Sequence, residues 1–226
     1  MIRHIIAFTL TTFISAAAVT AQENPANEWQ GLSFGVNVSQ LELANRIVFP
    51  APGLHAEPTG NEMGIDLSLE YLASLTPNIL AGIELMYAHN VNAPEGITQY
   101  NNLNVDVSRW RVDAERSLRL LGKIAVAPSS SSLFYVGAGI NKVHFSFRET
   151  TLFGVGAGTV YNHADTLTGH IIVAGMDQKV SDNLSLRVEV SHTEINEELY
   201  EGSIFSGPTW IDPDVRSVSV GIRYHF

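Results

Sequence analysis

The chain of 226 residues contains no cysteine. Disulfides, thiol nucleophiles and thiolate-held metals are therefore excluded. Positive charge is also scarce, with 13 Lys and Arg against 23 Asp and Glu, a formal net charge of −10. A nucleic-acid partner calls for a basic footprint, which this balance does not supply. Beyond residue 21 there is no apolar run approaching the ~20 residues that a membrane helix needs. The one continuous apolar run lies from Ile5 to Ala18, after Arg3 and before the small-residue pattern Val19-Thr20-Ala21. That order has the form of a secretory signal peptide cleaved before Gln22, and the run is too short to span a bilayer as a helix. The expected organisation is a signal peptide over 1–21 and one domain over 22–226. No Cys follows the cleavage position, so no lipid anchor is expected there.

What is present is alternation. Eight segments place apolar residues on one parity and small or polar residues on the other, the pattern of strands with two unlike faces. They are GLSFGVNVSQ, MGIDLSLEYL, ILAGIELMY, ERSLRLLGKIAVA, LFYVGAGI, TLTGHIIVAGM, LSLRVEVSH and SVSVGIRYHF. Their connections alternate in length. Pro77-Asn78, Pro128 with a serine run, and Ser181-Asp182-Asn183 make short turns, whereas residues 41–62, 89–113, 148–165 and 195–214 read as long loops. Short turns at one end and long loops at the other predict an all-β fold, an eight-stranded antiparallel up-and-down transmembrane β-barrel. The competing reading is a soluble sheet whose polar face is solvated.

If the barrel reading holds, the Leu, Val and Ile face meets lipid. Tyr71, Phe134, Tyr224 and Phe226 would form an aromatic girdle near the turns, with Tyr87, Trp110 and Phe147 near the loops. The other face would fill the lumen. It carries Gly64, Gly82, Gly137, Gly139 and Gly221, and a charge set of Glu70, Glu84, Lys123, Arg187, Glu189 and Arg223 at similar depth, with Asp66 and Arg119 one layer higher. Charges in a confined interior must be paired, so a plugged lumen held by ion pairs is expected. In the fifth segment the apolar parity changes after Ile140, which predicts a bulge near Asn141-Lys142. The sixth segment is apolar on both parities, which leaves the direction of His170 open.

These residues carry a family resemblance. The closing VSVGIRYHF resembles the C-terminal signature of outer-membrane barrels. LTPNILAGIELMYAHN and VSDNLSLRVEVSHTE are similar to turn-strand units of the small barrel superfamily that includes opacity proteins, OmpX-like proteins and the OmpA membrane domain. The resemblance implies an outer-membrane location in a Gram-negative envelope. It also implies that Val218, Val220, Ile222, Tyr224 and Phe226 form the signal read by the barrel-assembly machinery. No peptidoglycan-binding module is expected after the last strand.

Candidate chemistry is thin. A lipid A deacylase of the PagL type would need a His and a Ser on one lipid-exposed face with an acid orienting the His. Ser191, His192 and Glu194 are the nearest match, but Ser191 and His192 fall on opposite faces, and Glu194 stands where that family has Ser. His55, His89, His144, His163, His170 and His192 show no close metal-ligand spacing. No metal or other cofactor is expected. The acidic stretch Glu194, Glu197, Glu198, Glu201, Asp212 and Asp214 reads as a solvated loop or as a site for cations bridging lipopolysaccharide. Arg109, Arg111, Arg116 and Arg216 either meet lipopolysaccharide phosphates or snorkel and pair internally. GVGAG at 154–158 lacks the Lys and the strand-to-helix setting of a phosphate loop. The expected function is a monomeric plugged barrel serving surface interaction, adhesion or envelope integrity through its four long loops. Its expected partners are outer-membrane lipid, the assembly machinery and an unidentified extracellular ligand. A narrow, porin-like solute or ion channel and a lipid A-modifying enzyme are the alternatives.

Overall fold

The eight alternating segments pair with their neighbours in chain order, and the last pairs with the first. In this computed structural model the described residues are 24–48, 55–56, 59–91, 95–100, 105–152, 158–195, 198–200 and 209–226. The barrel strands are β1 (Gly31–Val48), β2 (Thr59–Ser74), β3 (Ile79–Val91), β4 (Val105–Ser129), β5 (Ser132–Thr151), β6 (Val160–Ser181), β7 (Leu184–Ile195) and β8 (Thr209–His225). Every pairing is antiparallel, and β1 closes on β8 from Ser33↔His225 to Val48↔Trp210. Three short strands, His55–Ala56, Glu95–Tyr100 and Glu198–Tyr200, extend the pairing at the loop end. The expected signal peptide, residues 1–21, lies outside the described residues.

At the turn end the backbone is stitched across strands. Ala127 N–H donates to Asn78 O, Lys179 N–H to Ser131 O and His225 N–H to Asn183 O, each at 2.8 Å. Thr76 Oγ1 accepts the Ile79 N–H at 3.1 Å, a local hydroxyl bond that closes the turn around Pro77. A 3₁₀ turn at Pro25–Glu28 precedes β1 and tucks under the barrel, with Ala26 N–H donating to Pro77 O at 3.0 Å. Gly31, at φ +114°, then lets the chain swing from that turn into the first strand.

The faces divide as the alternation predicts. Ile83 is 61 % exposed and its neighbour Glu84 0 %. Outward-facing Leu32, Phe34, Ile65, Leu69, Val136, Ile172, Val188 and Val220 make a continuous apolar belt. Tyr71, Phe134, Tyr224 and Phe226 lie outward toward the turns and Tyr87 outward toward the loops, as expected. On β2 the belt runs the nine residues from Met63 to Tyr71. At about 3.4 Å rise and about 40° tilt that is roughly 20 Å of height, close to the band of a transmembrane barrel.

Above the belt the pattern inverts. On β1 the outward series Leu32, Phe34, Val36, Val38 gives way to Gln40 and Glu42, while the inward series Ser33, Gly35, Asn37, Ser39 gives way to Leu41 and Leu43. On β5 the outward residues change from Phe134, Val136, Ala138 and Ile140 to Lys142, His144, Ser146 and Arg148. Its inward residues change from Gly137, Gly139 and Asn141 to Val143, Phe145 and Phe147. The barrel therefore continues beyond lipid as a collar with water outside and an apolar interior.

This inversion corrects several expectations. No bulge occurs near Asn141-Lys142: the β5–β6 register is unbroken from Ser132↔Gln178 to Thr150↔Val160. The apolar residues change parity because the solvent outside the strand changes. The bulge lies instead in β4, between Ala114 and Arg116. It turns Glu115 toward the exterior and brings Trp110, Val112 and Ala114 inward. Trp110 and Phe147 are consequently buried inside the collar with Phe145, Leu167, Ile195 and Val215, and form no outer girdle. Much of what reads as long loop is strand, as with Val105–Asp113 in β4, because polar outward residues there mark water and not the end of pairing. His170 faces outward.

Candidate functional site

The lumen charges assemble into one cluster. Glu84, from β3, meets Lys123 of β4 at 3.0 Å, Arg187 of β7 at 2.6 Å and Arg223 of β8. Glu70, from β2, meets the same three bases, at 2.5 Å from Lys123, 3.3 Å from Arg187 and 2.8 Å from Arg223. The last of these is an ion pair without hydrogen-bond alignment, since Glu70 Oε1 has no hydrogen-bond partner. Asp177 of β6 takes both arms of Arg187, from Nε at 2.7 Å and Nη2 at 2.8 Å. Strands from both halves of the ring are thus tied across the bore. Glu189 joins at the edge, 4.0 Å from Arg187, and accepts the Tyr135 hydroxyl at 2.9 Å. The Tyr135 ring lies under Lys123 Nζ at 3.6 Å and the Arg187 guanidinium at 4.6 Å. Desolvating ions is repaid only when each is multiply bonded, which this geometry provides.

Two expected members stay apart. Asp66 and Arg119 are buried one layer higher, but Asp66 accepts from Ser39 Oγ at 3.0 Å while Arg119 reaches Met86 Sδ at 3.6 Å. No ion pair joins them among the described residues. Asp177 went unread because β6 is apolar on both parities. A usable signal existed, since Asp177 and Arg187 are equidistant from Asp182, and a hairpin turning there pairs them.

Apolar layers close the bore on both sides of the ions. Toward the turns, Trp29 from the segment before β1 packs with Leu72, Leu80, Ala125, Ala127 and Leu133. It meets the His225 ring edge-on at 5.3 Å, and Lys179 above it pairs with Glu28 at 3.2 Å. Toward the loops stands the collar core around Trp110 and Phe145. At its base the β4 bulge skips Glu115 while Ala114 keeps Phe145 as its β5 partner; on the β3 side, beyond the last pair His89↔Arg116, two inward side chains satisfy Ala114. Glu62 Oε1 accepts the Ala114 N–H at 3.2 Å and Asn90 Nδ2 donates to its carbonyl at 2.5 Å. Neither residue stood out in the sequence as a bulge partner.

The remaining candidates separate. Ser191 hydrogen-bonds Ser217 at 2.6 Å, while His192 faces outward and its Nδ1 lies 3.1 Å from Asp214, with Glu194 taking no part. No Ser-His-acid unit forms. Arg216 is 3.3 Å from Asp214 on the outer wall of β8. Arg109, Arg111 and Arg116 are exposed on the outer face of β4. Among the described residues no three His, Asp or Glu side chains gather as a metal site. Glu197 and Glu201 of the acidic stretch, and most of GVGAG, lie outside the described residues.

A closed ring with apolar side chains outward and ions inward is a transmembrane β-barrel. The chain belongs to the outer membrane protein beta-barrel domain family, whose model matches residues 7–226. Among solved structures it is similar to the outer membrane protein OprG from Pseudomonas aeruginosa, at 14% identity and a TM-score of 0.56 over 87% of this chain and 96% of that one. Ail of Yersinia pestis covers 87% and 99% at 11% identity and a TM-score of 0.47. The outer membrane protease OmpT of Escherichia coli covers 86% and 96% at 8% identity and a TM-score of 0.49. No curated protein matches the chain.

Proposed function

We infer that the protein is exported by its N-terminal signal, is inserted by the barrel-assembly machinery through its C-terminal strand, and works as a sealed barrel. Its contacts with other molecules are then made by the outer wall, the collar and the loops. The observation that carries this reading is the three-layered filling of the bore: Trp29 and its apolar neighbours, the ion cluster of Glu70, Glu84, Lys123, Asp177, Arg187 and Arg223, and the collar core. A conducting path would have to break charge pairs that hold four or more strands together. The role that follows is surface interaction or envelope integrity, with an extracellular ligand met by the loops. The separation of Ser191 from His192 speaks against the lipid A deacylase alternative.

Purified protein in planar bilayers is expected to give no stable open level, with at most rare transient events. A reproducible ohmic conductance from the wild-type chain would overturn the sealed barrel and favour the narrow channel.

A further inference from the structure

Two buried acids of the bore have no base of their own. Below the collar core the buried bases Arg119, Lys123, Arg187 and Arg223 face the acids Glu70, Glu84, Asp177 and Glu189, which leaves Glu62 and Asp66 in excess of the positive charge. Neither makes an ion pair among the described residues, and Arg119 turns instead to Met86 Sδ at 3.6 Å. Both acids stand on the inward face of β2, on either side of Gly64, whose register partners are Ser39 of β1 and Asn90 of β3. Ser39 Oγ donates its proton to Asp66 Oδ1 at 3.0 Å, so its lone pairs stay available. Asn90 Nδ2 donates to the Ala114 carbonyl at 2.5 Å, which settles the sense of that amide, and Glu62 Oε1 accepts the Ala114 N–H at 3.2 Å. A Cβ built on Gly64 would collide with Asn90 Oδ1 and lie 2.7 Å from Ser39 Oγ. The two oxygens therefore meet over the glycine, in the space that a side chain would take. Asp66 Oδ2, Glu62 Oε2 and Asn90 Oδ1 accept no hydrogen bond, although the four residues are at most 4 % exposed. Buried oxygens left in that condition bear their full desolvation cost.

We propose that this cluster binds one hard divalent cation of calcium size, held by the carboxylates of Asp66 and Glu62, the amide oxygen of Asn90 and the hydroxyl of Ser39. Calcium takes about six to eight oxygens in a flexible geometry, from carboxylates, amide carbonyls and water. An irregular set of three kinds of oxygen suits it better than magnesium, which demands a near-ideal octahedron. The absence of imidazole and thiolate from the set disfavours the softer transition metals. Two positive charges also offset the two acids that the bases of the bore leave over. Because the donors come from three neighbouring strands, the ion fastens β1, β2 and β3 at the upper edge of the belt and so stabilises the folded ring. The inference does not need the lumen to be sealed, so it and the bilayer recordings fail separately.

The test uses the full chain purified in detergent and stripped with EDTA, and reads the temperature at which the compact band converts to the unfolded mobility. At constant ionic strength calcium should raise that temperature in the wild type, magnesium should raise it less, and potassium should leave it unchanged. Equilibrium dialysis should find a site whose calcium affinity falls roughly tenfold or more in Asp66→Asn and in Glu62→Gln. Glu115→Gln, which removes an exposed acid of the collar, should keep both the shift and the affinity. Where a charge variant gives no compact band, Ser39→Ala carries the comparison, since it removes one oxygen and keeps every charge; it should weaken calcium binding severalfold. A calcium effect that these variants retain belongs to the exposed acids and overturns the site. A wild type that calcium leaves unchanged overturns it too, and assigns protons to Glu62 and Asp66 in place of a metal.

Discussion

Glu84 shows what a single lumen residue is asked to do. Its two oxygens hold Lys123, Arg187 and Arg223, which come from three strands and have no water to fall back on. Removing one partner from such a cluster leaves the others charged and buried, which is far more costly than never having built the cluster. Glu84→Gln keeps the shape and the hydrogen-bonding capacity but deletes the charge. The expected loss is about 3–5 kcal/mol, read as a lower urea midpoint for unfolding in detergent micelles. The surface variant Glu115→Gln should be near neutral in the same assay, since that side chain is substantially exposed. A Glu84→Gln protein as stable as wild type would mean that the ions do not hold the bore together.

At the scale of the strand, one sequence meets two solvents. β5 carries an unbroken alternation of direction, inward at odd numbers and outward at even, while its chemistry reverses near Asn141. Outward Val136 should therefore not tolerate charge: Val136→Arg is expected to cost about 2–4 kcal/mol of barrel stability. Ser146→Arg, outward on the same strand but above the inversion, should change stability by no more than about 0.5 kcal/mol. Equal costs at both positions would place Ser146 within the hydrocarbon and remove the collar. The same inversion explains what was legible beforehand. Eight strands, their closure and six of the lumen charges could be read because period-two alternation is strong where lipid lies on one side. Trp110, Phe147 and the supposed bulge were misread because alternation reports polarity, and polarity tells inside from outside only when the outer solvent is known. Asp66 and Arg119 are buried in the lumen as expected, but equal depth along two strands does not fix which side chains meet across the bore, and the two take separate partners.

For the molecule as a whole, closure is the condition on which everything else depends, because an open edge in lipid leaves a row of backbone groups unpaired. The seam is β1 on β8, and its tightest place is Gly221, opposite Asn37. A Cβ built there would press on the Val36 carbonyl, the Asn37 amide oxygen and, at 2.7 Å, the Asn37 backbone. These atoms belong to the neighbouring strand, so the seam itself must part to make room. Gly122 offers the contrast, since a Cβ there meets nothing nearer than the Ala138 carbonyl at 3.9 Å. Gly221→Val should abolish the compact band that resists SDS until heated and leave only the unfolded mobility. Gly122→Val should retain both forms. Such a result ties the sealed lumen, the belt and the collar to one event, because the ion cluster takes Arg223 from β8 and Glu70 and Glu84 from β2 and β3, on opposite sides of the seam. Ring closure and charge pairing then form together or not at all, and a Gly221→Val protein that still gives the compact band would show that the ladder closes without this approach.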